Sequence, residues 1–139
     1  MTVFINARFL CQTLSGVQRF AGEIVAAMDD LLGSDPAMAT AIGPIVALHP
    51  EGVLRRPQWR HIDVKQVGRT YGHIWEQGAL YRASKDGLLI SLGNAGPLRH
   101  PAHMVALHDA NIWEIPYAFS PGYKMLHKTM RPILARRAK

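Results

Sequence analysis

Leu88-Leu89-Ile90-Ser91-Leu92 runs straight into Gly93-Asn94-Ala95-Gly96-Pro97. An almost unbroken apolar run suits a strand covered on both faces, and the breaker-rich loop ends it abruptly. Shorter runs of the same kind stand at Val3-Phe4-Ile5, Ile45-Val46-Ala47-Leu48 and Met104-Val105-Ala106-Leu107. Residues 61–67 alternate instead, with Ile62 and Val64 between polar neighbours, as expected of an edge or half-exposed strand.

Helical patterns fill the intervals. Ser15 and Gln18 match a capping box, and Val17, Phe20, Ala21, Ile24, Val25, Met28, Leu31 and Leu32 trace one apolar stripe. Gly33 is expected to end that helix as a C′ residue. Residues 73–85 form a second helix, with Gly78 as its weak point. A third begins near Tyr123, and Pro132 is expected to kink or restart it. Doubly covered strands alternating with helices imply an α/β domain with a mainly parallel, Rossmann-like sheet. Residues 1–139 are expected to make one such domain. Ligands of such sheets bind beyond the strand C-termini, here the loops Asn6–Ser15, Gly93–Pro97 and His108–Trp113.

Composition narrows the function classes. The 139 residues are 48% hydrophobic and 19% charged, a globular balance. No apolar run approaches the roughly 20 residues of a membrane helix. Met1-Thr2-Val3-Phe4-Ile5-Asn6 lacks a basic leader region, so no signal peptide is expected. The single cysteine, Cys11, excludes an internal disulfide and suits a reducing compartment. Cys11 has no histidine neighbour and is assigned no nucleophilic role. Net charge is +6 and uneven: residues 1–98 carry +1 and residues 99–139 carry +5. The basic end reads as a solvated helix face, a contact for an anionic lipid surface, or a nucleic-acid contact. No nucleic-acid motif accompanies it, so no nucleic-acid partner is expected.

Several segments together resemble the N-terminal half of bacterial glycosyltransferases of family 4. Ile5-Asn6-Ala7-Arg8-Phe9-Leu10 and Ser15-Gly16-Val17-Gln18-Arg19-Phe20 are similar to the family's opening strand, loop and helix. Trp75-Glu76-Gln77 resembles its W-E-Q helix, and Leu89-Ile90-Ser91 with Gly96-Pro97 its next strand and loop. His108-Asp109, Pro116, Phe119-Ser120 and Ala135-Arg136-Arg137-Ala138 resemble its "HD…P…FS…ARRA" stretch. Ala7 stands where the family often has glycine, and Pro132 falls in a helix expected to be continuous.

The resemblance implies a GT-B architecture of two Rossmann-like domains facing a cleft, of which this chain is the acceptor-side one. It implies a retaining sugar transfer from a nucleotide sugar to a growing bacterial glycan, with a lipid-linked acceptor. The setting it implies is an exopolysaccharide, capsule or lipopolysaccharide pathway. The family's donor-side glutamate pair and phosphate-binding Arg/Lys pair would belong to a C-terminal nucleotide-sugar domain beyond this chain, so this chain is expected to be inactive alone. The implied partners are that domain, the nucleotide sugar, the acceptor and an anionic membrane surface. The implied location is the cytoplasm, peripheral to the inner face of the membrane. No cofactor or metal is expected; the nucleotide sugar is a co-substrate.

Within that reading His108 and Asp109 are the catalytic candidates. His108 would hydrogen-bond near the reacting sugar, where charge on the leaving phosphate needs stabilising; otherwise it is a structural histidine. Asp109 either caps the next turn or orients His108. Ser15, Gly16, Val17 and Arg19 open a helix whose N–H groups and dipole suit an anion; otherwise Ser15 is only a cap. Arg8 suits a phosphate or acidic acceptor group, or is a surface arginine. Asn94 would bond an acceptor hydroxyl or, by default, support a turn. Trp113 is the preferred sugar-stacking residue over Trp75 and Tyr81, and at helical spacing Trp75 reads as core. His100, His103 and His108 form the tightest histidine group, but a strand from 103 to 108 would separate its ends by about 17 Å, too far to share an ion. The alternative is a non-catalytic α/β domain that binds a nucleotide or another anion.

Overall fold

The computed structural model describes residues 1–138; Lys139, one of the basic residues at the C-terminal end, lies outside them. Five parallel strands form one sheet: β1 (Val3–Asn6), β2 (Ile45–His49), β3 (Asp63–Gln66), β4 (Leu88–Ser91) and β5 (His103–Val105). Their order is β3-β2-β1-β4-β5. Chain order therefore reverses between β1 and β4, the switch point where open α/β sheets leave a crevice. Here Asn6 is paired in register with Ser91 and, on its other side, with Leu48.

The strand pleat explains why both faces are apolar. Val3, Ile5, Ile45, Ala47, Leu88 and Ile90 pack on one face against Ala21, Val25 and Leu32 of helix α1 (Gly16–Ser34). Phe4, Val46, Leu48 and Leu89 point the other way, onto Trp75 and Leu80. Those two lie in a helical run from 72 to 84: α3 (Gly72–Trp75), a π-turn (Glu76–Leu80) and α4 (Tyr81–Ser84). A short helix α2 (Pro36–Ile42), α5 (Asn111–Glu114) and the long α6 (Pro121–Arg137) complete the chain. No helix among the described residues is long and apolar enough to cross a membrane.

The structure corrects several local expectations. Gly33 lies inside α1, which runs on to Ser34. Its missing side chain makes room for His61, whose Nε2 would sit 2.5 Å from a Cβ at that position. Ser15 is the N-cap of α1, but its hydroxyl bonds the Gln18 side chain and not the backbone, so the capping box does not close. Helix α2 was not visible as an apolar stripe; Asp35 caps it through Met38 N at 2.9 Å, and Pro36 opens it. Strand β5 stops at Val105, and Ala106 and Leu107 already belong to the following loop. Pro132 neither ends nor restarts α6, which continues to Arg137 because Met130, Arg131 and Leu134 bury its inner face.

No helix joins β2 to β3. Residues 50–62 are instead pinned to α1 by Asp29, which is 5% exposed. Its carboxylate accepts the backbone N–H groups of Arg60, His61 and Ile62 at 2.9, 2.7 and 2.9 Å. Burial alone would raise the Asp29 pKa, but those three donors hold it below the ordinary carboxylate value. Strand β3 is exposed at all four residues, the edge expected from its alternating sequence.

Candidate functional site

A cavity of about 270 Å³ opens at the C-terminal ends of β1 and β4. The loop after β1, the start of α1, residues 73–76, the Gly93–Ala95 loop and one face of α6 enclose it. The first of these is braced from outside the cavity. Arg55 donates to the carbonyls of Gln12 and Phe9 at 2.8 and 2.7 Å, fixing the path of the chain between β1 and α1.

Glu76 is the buried centre of one wall, at 1% exposure. Asn6, the last residue of β1, donates to its Oε1 at 3.1 Å. Arg8 and His73 both meet its Oε2, at 3.0 and 2.8 Å. Burial pushes the Glu76 pKa up, but the His73 hydrogen bond and the Arg8 charge outweigh it, so the carboxyl stays below the ordinary carboxylate range. An ionised acceptor requires His73 to donate from Nδ1. Both Glu76 oxygens are thus engaged, and the group acts as a fixed negative charge that orients Arg8 and His73.

The neighbouring residues of the same tripeptide face different ways. Trp75 is fully buried and donates Nε1–H to the Val67 carbonyl at 2.6 Å. Gln77 donates to Gly96 O at 3.0 Å and accepts from Leu98 N at 2.9 Å, tying the helix to the loop after β4. These three directions fall at the entry to the π-turn, a local widening of the helix often found at functional positions.

Behind Glu76 the polar chain runs into the core. Asn6 also donates to Ser91 Oγ at 3.3 Å, and His103 Nε2 lies 2.9 Å from the same oxygen. Burial lowers the His103 pKa to about 4, so its ring is neutral near pH 7. His100 Nε2 meets Ser84 Oγ at 3.1 Å, and burial lowers its pKa too. His100 and His103 are therefore spent on serine partners. Gly96 permits this packing: a Cβ there would stand 2.5 Å from the His103 ring and 2.8 Å from Ser91 Oγ.

Helix α6 supplies the second wall. Arg131 is 3% exposed and donates Nη1–H to Asp109, at 2.9 Å to its carbonyl and 3.3 Å to Oδ1. His127 is 4% exposed, with the Tyr123 ring stacked 4.1 Å away and the His73 ring edge-on at 5.2 Å. Burial, followed by the His73, Arg131 and Arg8 charges, lowers its pKa to about 4. His127 Nδ1 and Arg131 Nε are the buried side-chain atoms that lack a hydrogen-bond partner among the described residues. Each such group costs about 1–3 kcal/mol, more for a charged group, and native proteins keep few of them.

The sequence-derived candidates divide between the cavity and its surroundings. Arg8, Ser15, Val17, Asn94 and Asp109 line it. Gly16 and Arg19 are exposed on α1 without lining it. Trp113 is 45% exposed on α5 and stands apart from the lining. His108 is exposed behind the wall: its Nε2 donates to the Leu92 carbonyl at 2.7 Å, and Phe20 packs edge-on against its ring at 4.8 Å. Asp109 bonds Asn111 N at 3.0 Å and Arg131, not His108. Asn94 holds the left-handed φ of 63°, and its Oδ1 accepts from His108 N at 2.7 Å, which joins two loops. Trp75 is core, as helical spacing suggests. Asn6, His73, Glu76, His127 and Arg131 escaped sequence reasoning as site residues. The one available signal was a carboxylate at position 76 in an otherwise apolar helix face.

No family model, curated protein or solved structure matches this chain. The functional reading therefore rests on the fold, the cavity and the motifs. Chemically, the cavity offers charges of both signs held in fixed positions. It also brings the N-terminal end of α1 to its rim through Ser15, Val17 and Gln18.

Proposed function

We propose that this chain is the acceptor-side domain of a retaining glycosyltransferase, which moves a sugar from a nucleotide sugar to a hydroxyl of a growing glycan. The observation that carries the reading is the polar cavity at the β1/β4 switch point, with the ionised Glu76 holding Arg8 and His73 at its wall. A saccharide needs donors and acceptors in fixed positions, and this cluster supplies both. The α1 terminus at the rim suits the diphosphate of a donor entering from a facing domain. Under this proposal the nucleotide-binding half lies outside the chain, and His108 and Asp109 position the loop above the cavity. Exposed Lys128, Arg136 and Arg137 on α6 suit a peripheral position on an anionic cytoplasmic membrane face that presents a lipid-linked acceptor.

The test is transfer activity. The full reading frame that contains this chain should transfer sugar from one member of a nucleotide-sugar panel, and the 139-residue chain alone should not. Glu76→Gln in the full protein should lower kcat/KM by roughly tenfold or more, since it frees Arg8 and His73 from their shared charge. Absence of transfer across the panel, with a specific nucleotide bound by the chain alone, would favour the non-catalytic anion-binding domain.

A further inference from the structure

Two arginines reach the cavity from its two walls, Arg8 just after β1 and Arg131 on α6. Among the described residues each is anchored through one nitrogen. Arg8 Nη1 meets Glu76 at 3.0 Å, and Arg131 Nη1 meets Asp109 at 2.9 Å to its carbonyl and 3.3 Å to Oδ1. A guanidinium carries several further N–H donors in a planar fork. Arg131 is 3% exposed, and its Nε lacks a partner among the described residues. A buried cation with donors to spare calls for a group rich in acceptor oxygens. The carboxylates of the lining do not supply it. Glu76 is engaged by Asn6, Arg8 and His73, and Asp109, a third exposed at its side chain, also gives Oδ1 to Asn111 N.

His127 reports the field at this corner. Burial, then the charges of His73, Arg131 and Arg8, lower its pKa, and the opposing charge of Glu76 is the smallest contribution. Positive charge therefore outweighs negative around its ring, and its Nδ1 is the other buried side-chain atom without a partner among the described residues.

We propose that this corner of the cavity holds a phosphate ester of the acceptor, gripped by the guanidinium forks of Arg8 and Arg131. That the ester belongs to an acceptor rests on the glycosyltransferase reading; the phosphate site itself does not. Guanidinium groups bind phosphate oxygens in bidentate fashion, and two forks can share one tetrahedral group. The cavity volume of about 270 Å³ lies under the ~300–1,000 Å³ of drug-sized ligand sites, so it admits a small phosphate ester and not a whole nucleotide sugar. The first turn of α1 lines the rim as the separate contact for the donor diphosphate. A soluble sugar phosphate and a lipid-linked phosphate present the same oxygens to the two forks.

The site is tested by isothermal titration of the purified chain with inorganic phosphate, glucose 1-phosphate, farnesyl diphosphate and unphosphorylated glucose. At least one phosphate-bearing probe should bind, and glucose should bind at least roughly tenfold more weakly. Tighter binding of glucose 1-phosphate supports the site with a soluble sugar phosphate; tighter binding of farnesyl diphosphate supports it with a lipid-linked one. Arg131→Lys and Arg8→Lys keep the charge but lose the fork, so each should weaken binding roughly five- to tenfold. Thermal melting confirms that each variant folds, and either one suffices. If neither folds, ligand-induced amide shifts in the parent chain should fall at Arg8, His73, His127 and Arg131, not at Arg136 and Arg137. Failure of every phosphate-bearing probe to bind, or shifts confined to Arg136 and Arg137, would overturn the proposal. So would folded lysine variants that bind like the parent, the behaviour of a diffuse charge effect, or uridine diphosphate displacing the probes from the same residues. The two readings fail separately. Transfer by the full protein with an acceptor KM unchanged in Arg8→Lys overturns the phosphate site alone. Phosphate binding that depends on the two forks, without any transfer, overturns the glycosyltransferase reading alone.

Discussion

Glu76 shows how one side chain can organise a site without offering its own reactivity. Its oxygens are engaged by Asn6, Arg8 and His73, and it is 1% exposed. Removing one partner of a buried charge cluster leaves the others uncompensated, at a cost of about 3–5 kcal/mol. Glu76→Ala is therefore expected to destabilise the chain by roughly that amount. Glu76→Gln, which keeps the shape and one acceptor, should cost less. Urea unfolding midpoints measure both; equal, small effects would mean that the cluster is solvated and contributes little. The sequence shows Trp75-Glu76-Gln77 plainly, but not that its members face the core, the cavity and a loop. That division depends on the π-turn and on which strands lie beneath it.

At the scale of elements, Asp29 replaces a missing crossover helix. It lies on α1, far in sequence from the Arg60-His61-Ile62 backbone that it holds, and the connection positions edge strand β3. Hydrogen bonds to charged groups contribute about 1.5–3 kcal/mol each and do not add fully, so Asp29→Ala is expected to cost about 2–4 kcal/mol. Hydrogen exchange should show faster opening at Ile62 and along β3 than in β1. Uniform protection across the sheet would sink the idea. The strands and the buried part of the α1 stripe, Ala21, Val25, Met28 and Leu32, were legible because burial on a regular period leaves a mark in the sequence, whereas Phe20, Ile24 and Leu31 of the same stripe stay exposed. Helix α2 was less so: it buries no residue, and its only marks are an Asp-Pro start and a glycine end. Gly33 misled for a related reason, since a glycine needed for the close approach of His61 resembles one that ends a helix.

At the scale of the whole molecule, buried histidines tie stability to pH. His103 and His127 ordinarily titrate near 6.5, and the fold lowers each to about 4. Well above pH 6.5 both are neutral whether folded or not, and they contribute nothing to the slope. As pH falls from 6.5 toward 4 the unfolded chain takes up protons that the folded chain refuses, so stability drops. Below that window Asp29 and Glu76, whose carboxyls the fold holds under their ordinary values, add a further loss as they protonate. His127→Phe should flatten the decline between pH 6.5 and 4 by up to one proton. An unchanged slope in denaturation curves would show that His127 titrates normally.

The lopsided charge also resolves at this scale. Of the basic residues in the C-terminal stretch, Arg131 is buried in the cavity wall and Arg137 reaches back to the Leu98 carbonyl at 3.3 Å. The charge excess is thus partly internal structure and partly surface. By itself the sequence determined the α/β class, the parallel character of the sheet and the loops where a ligand site would lie, because each follows from local burial periodicity and turn chemistry. Which side chains meet at that site was settled by tertiary structure. Asn6, Glu76, Asn94 and Arg131 come from four separate segments, and only the strand order and the seating of α6 bring them to one cavity. His108, conspicuous in sequence, is turned outward by the same packing that seats its neighbour Asp109 on Arg131.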